Sequence, residues 1–215
     1  MNTKILEKQL EELLTTSLRN ITVAKTIHIH YHFSSLYKDY LMRQAIVSIY
    51  SCWEEFIKQS LSEYLRSLNL LQLNYQQLHP NYMAHQLDSV FNFKNPKTNF
   101  DKIVKKSSNF IQKFEGVVVF NTAINTESNA NLTVTNKILK RFRLKLLDEK
   151  KYKKGLDALL QIRNSIAHGN YRISIEQSHI DDFSLLIQNL MDELGLRIIE
   201  ASNKQVYLKQ TLINA

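Results

Sequence analysis

Across 215 residues the chain has only four glycines and two prolines. Glycine supplies the left-handed backbone of tight turns and proline interrupts helices, so a chain poor in both has few sharp reversals and few helix breakers. Long helices are favoured over a many-stranded sandwich or barrel. The expected class is all-α, a helical bundle with at most short strands. This length suits one domain over residues 1–215, with a modest insertion, better than two ordinary domains. Ten Phe and ten Tyr supply ample core material for a globular protein.

Apolar spacing places the elements. Leu6, Leu10, Leu13, Leu14, Leu18 and Ile21 recur at three and four, which predicts an amphipathic first helix over about 4–21. Ile27, Ile29, Tyr31 and Phe33 alternate with His28, His30 and His32, a period of two that fits an extended piece or a helical turn. A long helix follows over 36–71, with Ile46, Tyr50, Trp53, Ile57, Leu61, Tyr64 and Leu68 on its buried stripe. Pro80 and Pro96 bracket looser chain, because each disfavours helix in the residue before it. The stretch 72–132 is expected to be a mixed insertion or lid: 100–114 helical, the β-branched run Val117–Phe120 extended, and 121–131 polar loop. Thr133 or Thr135 is expected to cap a helix running through Leu144. Another helix spans about 150–168 and stops at Gly169, and the last starts at Ser178, with Asp181 reciprocating, and runs towards Leu208.

The single cysteine, Cys52, forms no internal disulfide or thiolate zinc site, reads as a small buried residue, and suits a reducing cytoplasm. The N-terminus alternates charge with apolar residues, so neither a signal-peptide core nor a membrane span is expected. A net charge of +8 points towards a polyanion. The excess crowds Lys102 to Lys113, then Lys137, Lys140, Arg141, Arg143 and Lys145, then Lys150 to Lys154, just ahead of Arg163.

On a helix over 150–168, Leu156, Leu159, Leu160 and Ala167 form one stripe, with Arg163 in its middle. A buried guanidinium costs several kcal/mol, on the order given for ions in real proteins, unless it is paired. It is either a structural cation, paired with a carboxylate such as Glu54 or snorkelling outward, or part of a site. Asn164 and His168, four apart, share a face, and Arg163 reaches the same region on a flexible stem. Histidine exchanges protons near neutral pH, so the three residues together suit chemistry on a phosphate.

The run Arg163-Asn164-Ser165-Ile166-Ala167-His168, closing a late helix before Gly169 and preceded in the chain by the tryptophan-glutamate helix Ser51-Cys52-Trp53-Glu54-Glu55-Phe56-Ile57-Lys58, resembles the signature of the HEPN superfamily. The polar stretch Asn125–Leu132 ahead of a basic helix is similar to that of its MAE-like group. The resemblance covers about residues 36–200. It implies a bundle that pairs with a second copy across a shared cleft, and a metal-independent endoribonuclease that works as a toxin or antiphage effector without a cofactor. By the same resemblance His168 is general base or acid, Arg163 holds the scissile phosphate, Asn164 orients one of them, and Glu54 is a supporting acid. An antitoxin or defence-system partner would hold such an enzyme in check. The alternatives are a non-catalytic HEPN module that binds nucleotides or proteins, and a helical nucleic-acid scaffold. Lys137, Lys140, Arg141 and Arg143 are expected to line the approach of RNA. His28, His30 and His32 lack a nearby carboxylate, so surface histidines are preferred to a metal site. Tyr31, Tyr37, Tyr40, Tyr50 and Tyr64 are expected to fill the core or a dimer seam rather than stack on bases.

Overall fold

The computed structural model describes residues 3–91, 116–127, 129–169 and 172–209. Six helices and no sheet occur among them: α1 (Thr3–His30), α2 (Ser35–Asn69), α3 (Pro80–Phe91), α4 (Leu132–Arg141), α5 (Glu149–Ala167) and α6 (Gln177–Asn203). The expected helix over 100–114 and the Lys94-Asn95-Pro96 turn lie outside the described residues.

α2 is the axis of the bundle, about 50 Å long at 1.5 Å per residue. Its stripe of Ile46, Ile49, Tyr50, Trp53, Phe56, Ile57, Leu61, Tyr64 and Leu65 is buried. Each large side chain taken out of water contributes about 1.5–3 kcal/mol before entropy is charged against it. α1 folds back on α2 through residues 31–34. Against the alternation read from sequence, residues 27–30 continue α1 instead of extending. Tertiary packing decides this. Ile21, Ala24 and His28 recur at helical spacing on the face turned inward, and His28 is 3% exposed, its Nε2 2.6 Å from Gln177 Oε1 at the start of α6. His28 is therefore no surface histidine, whereas His30 and His32 are exposed.

The direction of each helix follows from its contacts. Lys25 pairs with Asp181 at 2.9 Å and His28 meets Gln177, so α6 runs antiparallel to α1 and parallel to α2. Lys151 approaches Glu193 at 3.9 Å, and Gly155 faces Leu186 so closely that a Cβ would sit 3.0 Å from its Cδ2. α5 is therefore antiparallel to α6 and to α2, and its C-terminal end points towards the start of α2.

The described parts of 72–132 pack into the common core. α3 begins on Pro80, where the missing N–H would have had no helical partner, so helix resumes earlier than the two prolines suggested. Tyr82 Oη donates to Phe142 O at 2.6 Å and lies 2.8 Å from Tyr64 Oη, which must then be the donor of that pair. Burial pushes the Tyr64 hydroxyl far above its ordinary range, so it stays neutral. The run Val117–Phe120 forms no strand. Val117 makes one isolated bridge with Asn74, and Phe120 is held by Asn69, whose side chain accepts from its N–H at 2.7 Å and donates to its carbonyl at 3.0 Å. Residues 121–127 and 129–131 are loop, as expected.

Four helix ends differ from the sequence reading. Asn131 caps α4, its Oδ1 accepting from Val134 N at 2.8 Å, while Thr135 is buried inside the helix and donates back to Asn131 O at 2.9 Å. α4 stops at Arg141, before Leu144, because Arg143 takes a left-handed backbone with φ 55°. α6 starts at Gln177, one residue early. His179 Nδ1 accepts from Glu176 N at 3.1 Å, leaving Asp181 to pair with Lys25, and the helix ends at Asn203, short of Leu208.

Candidate functional site

α5 begins at Asp148, whose carboxylate accepts from Lys150 N at 2.8 Å and Lys151 N at 3.3 Å, and it ends with His168 as the capping residue. Gly169 follows with φ 80°, a conformation costly to any residue with a Cβ, and so fixes the reversal directly after His168. His168 donates its backbone N–H to Asn164 O at 3.0 Å, which closes the last turn.

The apolar stripe of α5 is buried at Leu156, Leu159 and Leu160, but Arg163 is only half-buried and Ala167 is exposed. Ile166, 6% exposed, takes the inward position in the last turn. The expected stripe therefore opens towards the end of the helix, where Arg163 stays over Tyr50 of α2 and Ala167 faces outward.

Arg163 is held there by an aromatic face. Its Cζ lies 4.7 Å from the centroid of the Tyr50 ring, and its Nη1 donates to Asn164 Oδ1 at 2.9 Å. A cation over a tyrosine face gains about 0.5–2 kcal/mol depending on desolvation. The ion pair expected between Arg163 and Glu54 does not form. Glu54 instead accepts from Lys58 at 2.7 Å and from Thr126 Oγ1 at 2.8 Å, so its attraction to Arg163 acts only through space. Burial pushes the Glu54 carboxyl up, but the Lys58 and Thr126 hydrogen bonds and the charges of Lys58 and Arg163 outweigh it, and the net shift is below the usual carboxylate range. No carboxylate salt-bridges Arg163 among the described residues, so its guanidinium keeps donors for an anion.

Beneath the stack, the backbone of one residue is gripped on both sides of its Cα. Tyr50 Oη accepts from Ala130 N at 2.8 Å, and Trp53 Nε1 donates to Ala130 O at 2.9 Å. Burial raises the Tyr50 hydroxyl above the ordinary phenol range, although the Ala130 N–H opposes it, so the ring stays neutral under the cation. With Thr126 bonded to Glu54, the loop 121–131 is clamped onto the same face of α2 that carries Arg163. The sequence put Tyr50 and Trp53 on the buried stripe of α2, Tyr50 in core or seam and Trp53 in the helix that carries the resemblance, and gave neither a contact with Arg163 or Ala130. Their i, i+3 spacing shows a shared face, but nothing in the chain pairs them with Ala130 or Thr126.

Of the basic residues expected to line the approach, three share a surface. Lys137, Lys140 and Arg141 project from α4 into a cavity of about 740 Å³ with Pro80, Asn81 and His85. A second cavity of about 250 Å³ joins Lys137 and Arg141 to Asn125 and Glu127 of the clamped loop. Lys137 is partly neutralised by Glu127 at 2.9 Å. Arg143 is not part of this surface: it donates to Val206 O at 3.2 Å and secures the chain after α6. The loop 121–131 thus has α2 and the Arg163 stack on one side and the basic face of α4 on the other.

The His168 side chain is exposed just past the end of α5 and makes no hydrogen bond among the described residues. Among them no group of histidine, cysteine and acidic side chains is gathered as metal ligands would be, and no helix is long and apolar enough to cross a membrane.

Comparison with curated proteins and with solved structures gives no match. The model of the RiboL-PSP-HEPN family matches residues 5–200, which takes in α1 and α2, the Tyr50–Arg163 stack and all but the end of α6. The match carries the superfamily and does not extend to the MAE-like group, and on this match, over nearly the whole described bundle, the chain belongs to the RiboL-PSP-HEPN family.

Proposed function

We propose that the protein is an endoribonuclease that cleaves RNA by attack of a 2′-hydroxyl on the adjacent phosphorus, with Arg163, Asn164 and His168 as its catalytic residues. The observation that carries this reading is the posture of Arg163. A guanidinium without a carboxylate partner is held on the Tyr50 ring and tied to Asn164, one turn from a histidine whose ring faces solvent. A structural arginine would be expected to salt-bridge the carboxylate within its field, and here Glu54 is occupied by Lys58 and Thr126.

The chemistry matches these groups. As the 2′-oxygen bonds to phosphorus, its proton must pass to a base, and the bond to the 5′-oxygen breaks, that oxygen taking a proton from an acid. The products are a 2′,3′-cyclic phosphate and a 5′-hydroxyl. His168 supplies the imidazole for one proton transfer, and Arg163 neutralises the charge that grows on the phosphoryl oxygens. Asn164 holds the guanidinium through its Oδ1. A DNA strand lacks the attacking hydroxyl and is not a substrate.

A single chain offers one imidazole beside Arg163, whereas the reaction uses a base and an acid. A two-fold dimer that joins two such sites would supply both. Ile29, Tyr31, Leu36, Tyr37 and Tyr40 are exposed around the α1–α2 turn, at the end of the bundle to which the C-terminus of α5 points, and this apolar surface supports a seam there. Of the five tyrosines expected in core or seam, Tyr50 and Tyr64 are in the core and the other three lie on this surface. Action as a toxin or defence effector in the cytoplasm, restrained by an inhibitory partner protein, is the biological setting proposed for such an enzyme.

The test is incubation of the purified protein with end-labelled RNA in excess chelator, beside the His168→Ala variant. Cleavage by the wild type and none by the variant supports the reading. Binding without cleavage by both would favour the non-catalytic module, and cleavage lost in chelator would require a metal.

A further inference from the structure

α2 carries a second arginine on the face that meets Arg163. Arg43 stands seven residues before Tyr50, nearly two full turns, so its side chain leaves α2 within about 20° of the same direction. The stack puts Tyr50 and Arg163 at one level. From there, the five residues to His168 on α5 rise about 7.5 Å towards the start of α2, and the seven back to Arg43 rise about 10 Å the same way. Arg43 and His168 therefore come to nearly the same level along the α2–α5 seam, from facing helices.

The state of Arg43 is the second observation. It is half-buried, its Nε–H is buried without a hydrogen-bond partner, and no carboxylate pairs with it among the described residues. Buried donors are ordinarily satisfied, and an arginine left unsatisfied beside a groove is matched by a ligand with acceptor oxygens. Along that face Val47 and Tyr50 offer no negative charge, the exposed Asp39 one turn earlier makes no salt bridge with it among the described residues, and Glu54 lies further along, engaged by Lys58.

We propose that Arg43 is a substrate-binding residue that holds the phosphate next to the scissile one, so that the RNA strand runs along the α2–α5 seam from Arg163 past His168 to Arg43. This rests on the ribonuclease reading and adds a register to it: two guanidinium groups flank the imidazole and fix which phosphate it meets.

The experiment uses the full chain with His168→Ala to keep RNA intact, and measures binding of a fluorescent single-stranded RNA by anisotropy over a series of salt concentrations. Adding Arg43→Gln is expected to weaken binding roughly ten- to a hundredfold, the usual cost of a charge-assisted hydrogen bond, and to lower the slope of log affinity on log salt by about 0.7, one phosphate contact. Arg43→Lys restores the slope but only part of the affinity, since a point charge does not fork to two oxygens. In the active protein Arg43→Gln raises KM more than it lowers kcat. Unchanged affinity and slope in the glutamine variant overturn the assignment while wild-type cleavage leaves the ribonuclease reading standing. If the glutamine variant melts early, the lysine variant decides: full affinity overturns the proposal and a several-fold loss supports it. RNA neither bound nor cut by any form overturns both.

Discussion

Replacing Tyr50 by Phe separates the two tasks of that side chain. The ring remains under Arg163, but the hydroxyl that accepts from Ala130 N at 2.8 Å is gone. Ala130 is fully buried, so no water replaces the lost acceptor. A buried donor stripped of its partner costs about 1–3 kcal/mol. In a domain of this size each kcal/mol moves the melting temperature by about 2–4 °C, so a fall of roughly 2–12 °C is expected. Cleavage of RNA below the melting transition should stay within a few-fold of wild type, because the guanidinium keeps its platform. Tyr50→Leu removes the platform as well, forfeiting a further 0.5–2 kcal/mol or so of cation–π attraction, and should lose most cleavage even where it is folded. Melting followed by circular dichroism and cleavage of labelled RNA report the two effects separately. A phenylalanine variant as stable as wild type, or a leucine variant that cleaves normally, would refute the role given to Tyr50.

Trp53→Phe leaves the Ala130 carbonyl unpaired; because Tyr50→Phe loosens the same residue, the double variant should cost less in denaturant melts than the two single losses added, whereas strict additivity would mean the grips are independent. Gly169→Ala forces a Cβ into a backbone with φ 80° and should cost about 1–2 kcal/mol in the same melts, with lowered cleavage because His168 is displaced; an alanine variant indistinguishable from wild type would show that the turn does not position the histidine. Glu54 has a folded-state carboxyl below its ordinary value, through Lys58, Thr126 and Arg163 acting against burial. Its stabilising effect is therefore present above the ordinary carboxylate range and lost as pH falls through the folded value. Glu54→Gln should be less stable than wild type at neutral pH and equal to it in strong acid; a gap that widens in acid would contradict the assigned shift.

Where the sequence read well, the cause was regular spacing under a single influence. α2 shows a continuous buried stripe, and the end of α5 is marked by Gly169, whose left-handed backbone stops a helix locally. The reading failed where a distant contact overrode a local pattern. Residues 27–30 alternate like a strand but are helical because His28 is buried against α6. A helix start shifted where a polar residue just upstream took the cap, as Asn131 did in place of the expected Thr133 or Thr135. At the site, residue types on α5 were legible, but the pairing was not. Glu54 looked like the partner of Arg163, and only the fold reveals that Thr126 and Lys58 claim the carboxylate while Tyr50 takes the guanidinium.

The central claim is that Arg163, Asn164 and His168 drive attack by the RNA's own 2′-hydroxyl, and the ends of the cleaved strands test it most directly. An RNA oligonucleotide is cut by the wild-type protein in chelator, the fragments are analysed by mass spectrometry, and a second oligonucleotide carries 2′-deoxyribose at the nucleotide on the 5′ side of the cut. The account predicts fragments with 2′,3′-cyclic phosphate and 5′-hydroxyl ends, no cut at the deoxy position, and no cleavage by His168→Ala or Arg163→Ala. Fragments carrying a 5′-phosphate and a 3′-hydroxyl, or cleavage at the deoxy position, would contradict it.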